Sequence, residues 1–107
     1  MAQENRQKLL NLLGLSMRAG YLVSGEDNVI TEMRKGKVKI VFVASDSSLK
    51  TIDNFKRKCY FYKVDVCFDY DSAELSSSVG KMRKIIGLKD KNMYTEIKKY
   101  LEVNKWK

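Results

Sequence analysis

Three observations predict an α/β fold, a three-layer α/β/α sandwich built on a small mixed four-stranded sheet. Short runs of β-branched and aromatic residues alternate along the chain with segments whose apolar residues recur at helical spacing. The 107 residues include no proline and only six glycines, which favours long regular elements over a turn-rich all-β fold. The apolar fraction of 44% suits a packed core, and a chain of this length has room for one, so a single domain is expected over residues 1–107.

The elements follow in order. "NRQKLLNLLGLSMRAG" sets Leu9, Leu12 and Leu13 on one helical stripe and stops at Gly20. Tyr21-Leu22-Val23 is a short extended piece. A second helix is expected to start near Ser24 and run through "EDNVITEMRK", with Val29, Ile30 and Met33 on its apolar side and Gly36 as its stop. "KIVFVAS" (39–45) lacks alternation, which marks a central strand covered on both faces. Asp46 or Ser47 then caps a third helix with Leu49, Ile52 and Phe55 at helical spacing. "VDVCF" (64–68) is the next strand. "DSAELSSSVG" (71–80) is a short helix closed by glycine, and "RKIIGL" (83–88) is a further strand. A Lys-rich last helix, at about 90–105, carries Met93, Ile97 and Leu101 at i, i+4 spacing. The pattern leaves strand order and direction open.

Composition narrows the function classes. No run approaches the roughly 18 apolar residues that a membrane span needs. The polar start "MAQENRQKLL" has no signal-peptide pattern, so the expectation is a cytoplasmic protein. Cys59 and Cys67 are then free thiols in the core. With two cysteines and no histidine, neither a zinc site nor any other cofactor is expected. The missing histidine also removes the commonest general base, and there is no phosphate-binding glycine loop or nucleophile–base pair. The expectation is no enzyme.

Charge points toward a partner. Lys and Arg number 21 against 13 acids, a net of +8 that makes nucleic acid a fair candidate. Most of the excess lies in residues 81–107, with nine basic residues and three acids. Taken alone, that run reads as a solvated helix face. The aromatic trio Tyr60, Phe61 and Tyr62 reads as packing, and Trp106 as a partner anchor or a cover for the core.

In open α/β sheets ligands sit beyond the strand ends, where loops meet helix N-termini. "SGEDN" (24–28), "ASDSS" (44–48) and "FDYDSAE" (68–74) are the three loops of that kind. By itself Ser24-x-x-Asp27 is a capping box, as is Asp71-x-x-Glu74. Gly25 weakens a helix start, and its missing side chain makes sense where another backbone must come close.

"LGLSMRAG…SGEDNVITEMRKGKVKIVFVASD" and "KCYFYKVDVCFDYDSAELSSSVGK" resemble the kink-turn RNA-binding ribosomal protein family, of the archaeal L-seven-Ae type, and most of all its bacterial YlxQ-like branch. The resemblance runs from about Leu9 to Leu88. It implies an α/β/α sandwich that binds a kink-turn-like internal loop of structured RNA, with ribosomal RNA among the candidates, in company with ribosomal proteins; a monomer is expected. It also implies recognition by a Gly-x-Asn-Glu motif at the start of the second helix, with a lysine three residues on and a second, apolar contact loop. Carried over, the glycine is Gly25, while Asp27 stands at the asparagine, Asn28 at the glutamate and Thr31 at the lysine. Glu26 is a substitute acceptor, and Lys35, Lys37 and Arg18 are phosphate contacts. The second loop falls on residues 69–73, where Tyr70 would stack on a base beside Asp71 and Ser72. The leading expectation is therefore a non-enzymatic RNA-binding protein, ribosome-associated or regulatory, with an altered motif. The alternative is a protein-interaction or ribosome-assembly module on the same fold.

Overall fold

A computed structural model describes residues 2–101, and side chains from residue 5 onward. It contains α1 (Ala2–Ala19), β1 (Leu22–Ser24), α2 (Glu26–Arg34), β2 (Ile40–Val43), α3 (Leu49–Tyr62), β3 (Asp65–Cys67), α4 (Ser72–Val79), β4 (Ile85–Leu88) and α5 (Lys91–Lys98). The sheet order is β1-β4-β2-β3. β4 pairs antiparallel with both β1 and β2, and β2 pairs parallel with β3, so the sheet is mixed as expected.

Alternation along the central strands separates two cores. Ile40, Phe42, Ile86 and Leu88 face α1, α4 and α5. Val41, Val43 and Ile85 face α2 and α3, where Val29, Met33, Phe55 and Cys59 meet them. Every residue of β2 and β4 is buried, which is why neither strand shows a polar/apolar alternation. Phe42 and Phe55 are the largest fully buried side chains, one in each core. Each adds stabilisation of about 1.5–3 kcal/mol through burial. Both cysteines are buried free thiols, and loss of hydration pushes each thiol up to about 12.

Two close approaches fix the layers. A methyl group on Gly14 of α1 would come within 2.9 Å of the Ser78 carbonyl oxygen, so α1 and α4 cross almost backbone to backbone. A methyl group on Gly87 in β4 would press on Val23, Val29 and Val38.

Several boundaries and caps differ from expectation. α2 begins at Glu26, with Gly25 rather than Ser24 as its N-cap and no side-chain cap, so Ser24-x-x-Asp27 is not a capping box. Ser24 belongs to β1 instead. Ser48, not Asp46 or Ser47, caps α3, by accepting from the Thr51 amide. Leu49 stands exposed at the first position of α3 rather than in the core. Asp71-x-x-Glu74 does form a reciprocal capping box. α5 stops at Lys98, and Ile97 is its buried residue, with Met93 and Leu101 packed beside it. The expected continuation of the helix beyond residue 101, and Trp106, lie outside the described residues.

Candidate nucleic-acid interface

The C-terminal ends of β1, β2 and β3 and the N-terminal end of β4 lie at one end of the sheet. Three of the four loops at that end meet at an open groove of about 610 Å³. Gly25, Glu26 and Asn28 line one side of it, Ser47, Ser48 and Thr51 another, and Met82 to Ile85 the rest.

Gly25 has a local reason to be glycine. Its φ of 94° with ψ of 144° is a conformation that side chains exclude, while the space a Cβ would enter holds only Asn28 Nδ2, 3.8 Å away. Its amide donates to the Ile85 carbonyl at 3.0 Å and its carbonyl accepts from the Val29 amide, tying the helix start to β4. The backbone amides of Glu26, Asp27 and Asn28 open the helix without a side-chain cap. Asn28 Nδ2 donates to the Ser24 carbonyl at 3.2 Å, and Glu26 Oε2 accepts from Asn54 Nδ2 of α3 at 3.2 Å. Asp27 and Thr31 are exposed on α2, one turn apart. The Ser47 hydroxyl oxygen, in the groove wall, is buried with no hydrogen-bond partner among the described residues.

The loop from Lys81 to Lys84 completes this edge, and sequence reasoning missed it. Arg83 is its pivot: Nε donates to Ser24 Oγ at 2.9 Å, and its amide donates to Ser76 Oγ at 2.8 Å. That pinning leaves the Met82 side chain 75% exposed in the groove wall, next to the exposed Lys84. The signal available in the sequence was Lys-x-Arg-Lys directly after a helix-closing glycine.

The other expected contact residues lie elsewhere. Tyr70 is only 4% exposed, with its ring packed on Phe42 and the Arg6 guanidinium 4.5 Å above it, so it offers no face to a base. Asp71 is the N-cap of α4. The amide and hydroxyl of Ser72 both donate to Asp46, and these bonds hold the Asp46 carboxyl below its ordinary value. β3 is the far edge strand, so this loop stands three strand spacings, about 14 Å, from β1.

Lys35 caps the opposite end of α2 and pairs with Glu32 at 3.5 Å; Lys37 lies just beyond. Both are about 15 Å or more from Gly25 along the helix. Arg18 lines a separate groove between α1 and α4. At the end of α5, Lys98 lies over the Tyr94 ring and the C-cap residue Lys99 pairs with Glu96.

Comparison with known proteins adds a second line of observation. The profile of the ribosomal protein L7Ae/L30e/S12e/Gadd45 family matches residues 7–98. The chain is 43% identical over 103 residues to a protein of Enterococcus faecium named RNA-binding protein YlxQ, covering 95% of this chain and 99% of that one. A protein of the same name from Bacillus subtilis (strain 168) is 40% identical over 75 residues, 70% of this chain and 75% of that one. Among solved structures, a protein of unknown function from Bacillus halodurans C superimposes with a TM-score of 0.83 at 32% identity, covering 87% and 95% of the two chains. A Giardia lamblia 15.5kD RNA binding protein superimposes with a TM-score of 0.79 at 15% identity, covering 91% and 84%, which shows a shared fold.

Proposed function

Since the chain belongs to the ribosomal protein L7Ae/L30e/S12e/Gadd45 family, we propose that it is a non-enzymatic RNA-binding protein, ribosome-associated or regulatory, that grips a kink-turn-like internal loop in the groove beside Gly25. The observation that carries this reading is the convergence of an uncapped helix start with a basic, partly apolar loop. Uncapped amides at a helix N-terminus suit a phosphate. Glu26, Asp27 and Asn28 offer acceptors and one amide donor to base edges, and Thr31 adds a hydroxyl one turn further on. Met82 provides an apolar surface for an extruded base, a part that buried Tyr70 does not fill. Lys81, Arg83 and Lys84 supply the cations against the backbone and offset the acids of α2. Ser47 Oγ, buried without a partner among the described residues, gives a further polar group to a ligand in the groove.

The relatives named as RNA-binding proteins support the RNA partner. The competing reading, a protein-docking module working through the Lys-rich C-terminal segment, draws less support, because Lys98 and Lys99 are engaged by residues of α5.

Fluorescence anisotropy with two RNA duplexes tests the proposal. One carries an internal loop with tandem G·A pairs, and the other has Watson–Crick pairs in their place. The expected result is about tenfold or greater preference for the first, as one or two good base contacts would give. Equal affinity for both, with a steep salt slope, would mean attraction by charge without recognition. Chemical-shift changes in amides 25–31 and 81–84, and not in 69–73, are expected on the same titration.

A further inference from the structure

The last turns of α3 carry a surface that neither core requires. Phe55 and Cys59 fill the core beneath this helix. Phe61 is 74% exposed and Tyr60 67%, so of the aromatic run expected to pack, Tyr62 does and the other two stand at the surface. Phe61 meets Tyr62 edge to face at 5.0 Å, and Tyr62 is itself packed against the α2/α3 core. The exposed ring is thus braced from one side with a face left open. Arg57, one turn earlier, shares its side of the helix, and both line an open groove of about 530 Å³.

Topology brings more positive charge to the same region. α3 starts at the Gly25 groove and runs about 20 Å to the other end of the sheet. β2 and β3 start there side by side, with Ile40 opposite Asp65. Lys37 and Lys63, both exposed, lie just ahead of these two strand starts. Lys37, expected to be a phosphate contact beside the start of α2, therefore belongs with this region.

We infer that the C-terminal end of α3 is a second RNA-contact surface, separate from the Gly25 groove, that takes unpaired nucleotides, with a base stacked on Phe61 and phosphates held by Arg57, Lys37 and Lys63. An open aromatic face ringed by cations suits a single strand, because stacking is indifferent to base identity and the cations follow the backbone. Positive charge complements a polyanion better than it complements an average protein surface. The inference goes beyond the proposed function and stands without it, since this surface shares no side chain with the groove.

The test uses the full chain and a labelled 12-nucleotide oligouridylate, which has no internal loop. Wild type is expected to bind in a salt-dependent manner. Phe61→Ala should weaken binding about fivefold or more, as loss of one stacked base does. Phe61→Trp should restore it. Arg57→Ala and Lys37→Ala should each lower the salt slope by about 0.7. Phe61→Ala should leave the affinity for the duplex with tandem G·A pairs unchanged, because Phe61 does not line the groove, so failure at this surface and failure at the groove are distinguishable. Because Phe61 is exposed, far-UV circular dichroism of Phe61→Ala should match wild type. A wild-type chain that does not bind the oligonucleotide overturns the inference. So does a Phe61→Ala chain that binds as wild type does, which would leave this face to a protein partner.

Discussion

Gly25 shows how one residue carries two demands. Its backbone lies where only glycine is unstrained, so Gly25→Ala is expected to lower stability by about 1–3 kcal/mol in urea denaturation even though a methyl group has room. The loss of internal-loop affinity should exceed what the unfolded fraction explains, because the helix start itself would turn. The sequence marked Gly25 as unusual but suggested close approach of another backbone; the positive φ could not be read without the neighbouring strand. Tyr70 is the converse case. An aromatic residue between two acids in a loop resembles an exposed stacking platform, and only the fold shows Phe42 and Arg6 enclosing it. Asp71-x-x-Glu74 was legible because a capping box is closed by residues within one turn. Ser24-x-x-Asp27 has the same pattern, yet β1 takes Ser24 and Arg83 takes its hydroxyl, a competition settled 59 residues away.

At the scale of elements, helix positions were plain from periodicity, whereas the contacts between helices were not. Gly14, directly after Leu13 of the leucine stripe, is the point where α1 and α4 touch, a contact the helical period does not announce. Gly14→Ala should force the helices apart and cost about 1–3 kcal/mol, read as a lower urea midpoint with an unchanged slope. The N-terminal part of α1 is joined to α4 through Arg6 and Glu74, 2.6 Å apart. Burial alone would raise the Glu74 carboxyl, but bonds from Arg6 and the Asp71 amide, with the charge of Arg6, hold it below its ordinary value of 4.5. A depressed carboxyl stabilises the fold above its unfolded value, and that contribution is lost as the pH falls through the folded value. Wild type should therefore lose stability below pH 4.5 more steeply than Glu74→Gln, as urea midpoints from about pH 6 to about pH 3 will show.

Across the whole molecule, the layer architecture was legible because β2 and β4 are buried on both faces and read as unbroken apolar runs. The order β1-β4-β2-β3 was not, and it decides which loops can act together. It seats the Lys81–Lys84 loop against the start of α2 and sends the residue 69–73 loop to the far edge. A net charge of +8 ensures some salt-dependent attraction for any polyanion, so affinity alone says little about recognition. The informative quantity is the slope of log affinity against log salt for the internal-loop RNA. Lys81→Ala and Lys84→Ala should each reduce it by about 0.7–0.9, and Arg18→Ala, on the α1–α4 groove, should leave it unchanged.

One consequence of the way α2 is mounted concerns evolvability. Val29 and Met33 anchor this helix in the core, while Glu26, Asp27, Asn28 and Thr31 are exposed. Asp27 and Thr31 can be rewritten with little effect on the fold, since surface substitutions away from caps and networks usually change stability by no more than about 0.5 kcal/mol, and Glu26 and Asn28 would each give up one exposed hydrogen bond, to Asn54 and to the Ser24 carbonyl. The Asp27-Asn28 order is a variation that such a mount tolerates. A library randomised at these four positions should return mostly folded proteins that differ in which RNA they select, so that one scaffold can follow a drifting RNA partner by changing its lettering alone.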